Sequence, residues 1–266
     1  MRTSQYRLAP EELHIWLWET ENPVLAEKAW GVISGEESER ARRFRHQAHR
    51  IRFLCTRVGL RSILSEYLRC APAEIRFAAR RGGKPVLEPE THSHSLRFNL
   101  AHSAGLAALA LRVDAEVGID LEAIRPMPNA LALAERFFSP AEAAALRSRP
   151  NGEQEELFFR LWTCKEAVLK GLGFGLTYPL DQVEIPWLIG DPVPPVNGPV
   201  VESTLCVDIK GIHDFKLTPN AESGGVEPQD IPKKWWVWEF KPHVDFFAAV
   251  ASSSSWNSVS IRHLGV

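Results

Sequence analysis

The order of its elements constrains this chain most. Twice, a strand-like run is followed by a long helix and then by further strands. In the first half, "LHIWLW" reads as a strand. "HRIRFLCTRVGLRSILSEYL" is an amphipathic helix with Phe53, Leu54, Val58, Leu60, Ile63 and Leu64 on its apolar side. "LRFNLAHS" and "LAALALRV" then flank Gly105 as the arms of a hairpin. In the second half, "VGIDLEAI" is a strand, "LWTCKEAVLKGLGFGL" a helix stopped by glycines, and "KKWWVWEF" with "FFAAVAS" a closing hairpin. A helix with one apolar stripe must lay it on another element, and this order is compatible with an α+β fold of two similar lobes without demanding it. The 266 residues suffice for one large domain or two small ones. The two halves share an order of elements, but the letters show no fixed-period repeat.

Between these runs, "NPVLAEKAWGVISGEESERARRF" gives helical turns around a glycine break, and "EIRFAA" gives a strand. "RRGGKPVL" is a turn built on Gly82, Gly83 and Pro85. "LALAERFFSPAEAAALRSR" holds two short helices, the second with Ser139 as N-cap, Pro140 at the first position and Glu142 at the third. "LDQVEI" reads as a strand. Residues 186–232 are rich in Pro and Gly with weak strand signals ("TLCVDIKGI"), and the polar tail "SSSSWNSVSI" reads as irregular.

A formal net charge of −2 argues against a dedicated nucleic-acid binder. The four cysteines form no CxxC pair and no metal-ligand spacing, which fits reduced thiols inside a cell. The N-terminus lacks a secretory h-region and no apolar run reaches membrane-spanning length, so a cytoplasmic protein without a membrane partner is expected.

The chemistry lies in two short stretches. Asp120 and Glu122 are two apart on a strand and so share one face, while Val117, Ile119 and Leu121 take the other. Two adjacent carboxylates repel unless a cation joins them, and oxygen-only ligands favour a hard ion such as Mg²⁺. Two ordinary acids on a solvated strand face satisfy the same pattern. The helix supplies the second stretch. Its apolar stripe runs Phe158, Leu161, Val168, Leu172, and the skipped slot holds Lys165, followed by Glu166. A charge in that slot is costly unless it is paired or faces a cleft. Glu166 and Lys170 stand i, i+4, a pair worth only ~0.3 kcal/mol on an exposed helix. If this face packs against the "GIDLE" strand, Glu166 becomes a third carboxylate and the lysines reach phosphate oxygens. That arrangement suits metal-assisted phosphoryl transfer.

Arginines between Arg40 and Arg61 form either a solvated face or a phosphate site, and Lys84 on its tight turn adds one more cation. "GLGFGL" lacks the phosphate-loop spacing. His102 and Ser103 end a strand, but the GxSxG turn of a hydrolase is absent. His92 and His94 form an HxH without partner ligands and read as a loop.

Together these segments resemble the Sfp-type 4′-phosphopantetheinyl transferases. The resemblance is carried by "RRF" with the arginine-rich helix after it, "GGKP", "FNLAHS", "VGIDLE", "RFFSPAE" and "LWTCKEAVLKGLGFGL", from about Arg40 to Pro186. It implies two similar α+β lobes related by a pseudo-twofold, here 1–116 and 117–266, the second including the Pro-rich segment and the polar tail. Coenzyme A would lie in the cleft between them. The implied reaction moves the phosphopantetheine arm of coenzyme A to a serine of an acyl or peptidyl carrier protein (fatty-acid, polyketide or nonribosomal-peptide) and releases 3′,5′-ADP. By motif, Asp120, Glu122 and Glu166 are the implied Mg²⁺ ligands, with Glu166 also activating the serine. Lys165 and Lys170 are implied pyrophosphate contacts, Lys165 standing with Glu166 at the reacting centre. His102 and Ser103 match a pair that contacts coenzyme A phosphates, Lys84 a lysine near the nucleotide, and Arg52 the helix arginine at the nucleotide end. A monomer is expected. The sequence departs from the family pattern at Glu37, where some relatives carry lysine, and in having leucine after Gly105.

Two rival classes fit less well. A metal-dependent nuclease would need an Asp…Glu-x-Lys pattern, and position 124 is Ile. A non-catalytic module that kept the fold is disfavoured because all three acids and both lysines are present.

Overall fold

Alternation along β1 (Glu12–Glu19) explains the layering. Leu13, Ile15 and Leu17 enter one apolar layer, and Trp16 and Trp18 enter another. Both faces of the strand are therefore buried, as its nearly continuous apolar sequence requires. The structure, a computed structural model, describes residues 6–91, 95–174, 178–189, 205–208, 232 and 234–265.

The first sheet places β10 (Ser258–His263), β1, β5 (Leu106–Val113) and β4 (Leu96–Ser103) in that order. The second places β6 (Val117–Ala123), β9 (Phe246–Ser252), β8 (Lys234–Phe240) and β7 (Leu205–Asp208) in that order. A short hairpin joins β2 (Phe77–Ala79) to β3 (Pro85–Leu87). Helix α3 (Gln47–Leu68) covers the first sheet, with Leu54, Val58 and Leu60 in the layer that holds Trp16 and Trp18. Helix α6 (Asn151–Leu172) covers the second, through Leu161, Ala167 and Val168 against Val237, Phe247 and Ala249. Between the sheets, Leu13 and Ile15 share a third apolar layer with Ile119, Leu121, Trp238 and Val250. The layers therefore run helix, sheet, sheet, helix.

The connectivity of the halves corresponds. In sequence the first runs β1, α3, β4, β5 and its sheet order is β1-β5-β4; the second runs β6, α6, β8, β9 and its sheet order is β6-β9-β8. All these pairings are antiparallel. The edge strands β4 and β6 lie side by side, and Asn99 Oδ1 accepts the Ile119 N–H across the junction at 2.9 Å.

Smaller helices follow their local signals. Helices α1 (Pro23–Glu27) and α2 (Gly35–Arg42) flank a 3₁₀ turn, and Ser34 and Glu37 form a capping box on α2. Helix α4 (Ala130–Phe137) precedes α5 (Pro140–Arg147), where Ser139 and Glu142 form the expected box. Helix α6 ends on Gly173 in the left-handed region, φ 79°. No described helix is long and apolar enough to cross a membrane.

Two expectations are corrected. "LDQVEI" is not a strand: Leu180–Gln182 form a 3₁₀ turn, and the carbonyls of Leu180 and Val183 are taken by a side chain, Lys165. The tail is not irregular. Trp256 is buried, and β10 pairs in parallel with β1. Buried Arg112 secures this return by donating to Pro10 O, Ser254 Oγ and Ser255 O while lying over the Trp256 ring. The last strand thus sits on the first sheet, although it follows all of the second in sequence. His92, His94 and most of 186–232 lie outside the described residues.

Candidate functional site

Glycine brings the site together. Gly118 on β6 faces α6 so closely that a Cβ there would overlap the Ala167 carbonyl oxygen and the Gly171 backbone. With helix and strand that close, the next residue on this face of β6, Asp120, meets the next turn of α6. Lys170 Nζ lies 2.5 Å from Asp120 Oδ1. Asp120 and Glu166 are both buried, at 3% and 7% exposure, and among the described residues Asp120 Oδ2 and Glu166 Oε1 have no hydrogen-bond partner. Buried acceptors without donors are costly, so these two oxygens mark a place built for something else.

The electrostatics agree. Burial raises the Glu166 carboxyl to about 7, helped by the charge on Asp120 and partly offset by Lys170. Glu122 is also pushed up, first by burial and then by Asp120. It accepts from Ser103 Oγ at 3.2 Å and lies 3.5 Å from Arg125. Ser103 Oγ in turn accepts the Ala123 N–H, which binds the end of β4 to the end of β6. His102 precedes it on the exposed surface. Its imidazole is held below the usual range by partial desolvation and then by the cations Lys170, Arg57 and Arg52. Those three cations therefore bear on one place. Arg52 is half exposed and pairs with Glu21, Nη2 to Oε1 at 2.5 Å. Arg57 lies 3.6 Å from Glu37, which also holds Arg61 at 2.6 Å.

Of the residues named from sequence, Asp120, Glu122, Glu166, Lys170, His102 and Ser103 are brought together, and Arg52 stands at the margin. Two are not. Lys165 is fully buried on another face of α6. It pairs with Glu142 Oε2 at 2.7 Å, donates to the carbonyls of Leu180 at 2.9 Å and Val183 at 2.5 Å, and lies over the Phe138 ring. Lys165 is thus the paired alternative to a cleft lysine. Lys84 is also buried, and its three N–H groups go to Glu116 at 3.0 Å, Val117 O at 3.1 Å and Gly171 O at 2.8 Å. With every donor used, it joins its turn to β6 and α6 and has none left for a nucleotide.

Sequence reasoning missed Glu21, Arg125 and Asn99. The partners of Glu21 and Asn99 stand about 20 to 30 residues away on other elements, so nothing local announces them. Arg125 could have been found, since it stands i+3 from Glu122.

Among the described residues, no three His, Cys, Asp or Glu side chains are gathered as a ready cation cage. The donor set still fits a hard divalent ion. It is all oxygen, two of its oxygens are orphaned, and Mg²⁺ commonly takes only one or two carboxylates with waters and substrate phosphates.

Two family models match the chain. The 4′-phosphopantetheinyl transferase superfamily model covers residues 116–192, and a 4′-phosphopantetheinyl transferase N-terminal model covers 17–114. The chain is 41% identical over 180 residues to the 4′-phosphopantetheinyl transferase HetI of Nostoc sp., covering 67% of this chain and 75% of that one. It is 37% identical over 169 residues to a putative 4′-phosphopantetheinyl transferase of Synechocystis sp., covering 64% and 68%. It is 34% identical over 160 residues to the 4′-phosphopantetheinyl transferase Sfp of Bacillus subtilis, covering 60% and 68%.

Proposed function

The chain belongs to the 4′-phosphopantetheinyl transferase superfamily, and from that premise we propose that it moves the phosphopantetheine arm of coenzyme A onto a serine of an acyl or peptidyl carrier protein, with Mg²⁺, releasing 3′,5′-ADP. The supporting observation is the pair of orphaned buried oxygens on Asp120 and Glu166 beside Lys170. Asp120, Glu122 and Glu166 are the residues that would hold the cation. When bound, it would neutralise charge on the pyrophosphate.

The chain's own groups account for the remaining chemistry. Lys170 gathers phosphate oxygens once Asp120 has another partner. His102, whose protonation is disfavoured, serves as a neutral hydrogen-bond group to a phosphate, and Arg52 and Arg57 face the nucleotide end. The serine oxygen forms a bond to the phosphorus that carries the pantetheine arm, and the bond from that phosphorus to the ADP oxygen breaks. The serine proton goes to Glu166. A carboxylate that also holds a cation is a weak base, so this transfer runs through a water.

We read the two halves as pseudo-twofold lobes, the first being 1–116 with β10 added and the second starting at 117, with the reaction in the cleft between them. Since every named group comes from one chain, a monomer suffices. The test is to incubate the protein with coenzyme A, Mg²⁺ and apo carrier proteins and to weigh the carriers. A phosphopantetheine mass increase is expected on at least one acyl or peptidyl carrier, and its absence across both types defeats the reading.

A further inference from the structure

Three ion pairs neutralise the cations around His102: Lys170 with Asp120, Arg57 with Glu37, and Arg52 with Glu21. Two of the carboxylates are fixed by other work. Asp120 is buried, and Glu37 also holds Arg61 and the Ser34 N–H of its capping box. Glu21 differs. Its side chain is 53% exposed, and among the described residues its hydrogen bonds go to Arg52 alone. Nε and Nη2 of Arg52 both reach the same oxygen, Oε1, at 2.8 and 2.5 Å. That is weaker than the two-oxygen fork a guanidinium makes with a carboxylate or phosphate.

Glu21 also stands at the site. Thr20 N–H donates to Gly105 O at 2.7 Å, and a Cβ on Gly105 would meet the Glu21 carboxyl carbon at 3.2 Å. Gly105, φ +86°, turns the hairpin whose end carries His102 and Ser103, and Ser103 bonds Glu122.

We propose that Glu21 is a resident counter-ion that stands in for a substrate phosphate on Arg52, is displaced when a phosphate-bearing ligand enters, and so sets how tightly that ligand is held. This rests on the transferase reading for the identity of the ligand. A half-exposed ion pair contributes little, and a phosphate offers more charge and three acceptor oxygens, so exchange favours the ligand. Breaking the resident pair still subtracts from its affinity.

The experiment is titration calorimetry of coenzyme A, 3′,5′-ADP and pantetheine on the wild type, Glu21→Gln, Arg52→Met and the double variant. Glu21→Gln is expected to bind coenzyme A and 3′,5′-ADP about two- to fivefold tighter, with pantetheine unchanged. The gain should vanish when Arg52 is Met. Equal affinity in Glu21→Gln overturns the counter-ion role alone. Weaker binding also overturns it, because Glu21 would then orient Arg52 rather than compete for it. A gain for pantetheine overturns it too. A wild type that binds no coenzyme A overturns both this proposal and the transferase reading.

Discussion

Lys170 stands five positions after Lys165, which on an α-helix turns them roughly 140° apart. Lys170 meets Asp120 at the site, and Lys165 meets Glu142 in the core. Lys165→Met leaves the Glu142 carboxylate buried without its cation, so the loss expected in urea unfolding is about 3–5 kcal/mol. Coenzyme A affinity should hold in whatever fraction stays folded; a matching fall in affinity at unchanged stability would return Lys165 to the site. Glu166→Gln tests the opposite case. Its size is kept but its carboxylate is gone, so coenzyme A should still bind while the chemical step drops ~100- to 10,000-fold. Wild-type turnover would remove Glu166 from the base role. The skipped slot in the apolar stripe was legible in the sequence as an anomaly. Its resolution was not, because a cleft and a buried partner both satisfy it, and the partner lies on another helix. Glu142 has a local role as the third residue of a capping box, yet its two oxygens serve Ser139 N–H, Ile185 N–H and Lys165 together.

Between elements, close approach decides more than propensity does. Gly118→Ala would force α6 off β6, carrying Glu166 and Lys170 away from Asp120. Overpacking of this kind costs about 1–3 kcal/mol, and activity should fall further than stability, as paired melts and transfer assays would show. A second contact, β1 on α3, carries a pH dependence. The Tyr67 hydroxyl accepts from Trp16 Nε1 at 3.0 Å and shares a hydrogen bond of 2.7 Å with His14 Nδ1. Burial, then Arg262, lowers His14 to about 4. The unfolded chain binds that proton near 6.5, so the stability is present above 6.5 and is lost as pH falls towards 4. Unfolding at pH 5 should cost roughly 2 kcal/mol less than at pH 7.5, and His14→Gln should flatten the difference. Most elements were legible from period and punctuation. "LDQVEI" was not, because its alternation is strand-like and the lysine that claims its carbonyls lies outside it.

At the scale of the molecule, β10 knits the chain's end to its beginning, and Arg112 fastens that return. Arg112→Met should leave the Pro10 and Ser255 carbonyls without their donor. A chain ended at Ser253 should leave the outer edge of β1 unpaired and self-associate, visible as higher-mass species in size-exclusion chromatography. A shortened chain that stays monodisperse and as stable as the full one would deny β10 this part. Serines and a lone tryptophan hid the strand in the sequence, since its exposed face needs no apolar pattern and its register comes from β1.

The parallel pairing of first and last strands also sets a schedule for the chain as it is made. About 240 residues separate β1 from the end of β10. At roughly 5–20 residues per second, a ribosome needs on the order of 12–50 s to supply the partner after β1 has emerged. The second sheet and α6 can assemble while the nascent chain lengthens, but the first sheet keeps an open edge until β10 has been made. β1, made before the other described strands, is therefore closed only when β10 follows, and over that interval it depends on α3 above and the other sheet below to keep it from a stranger's backbone.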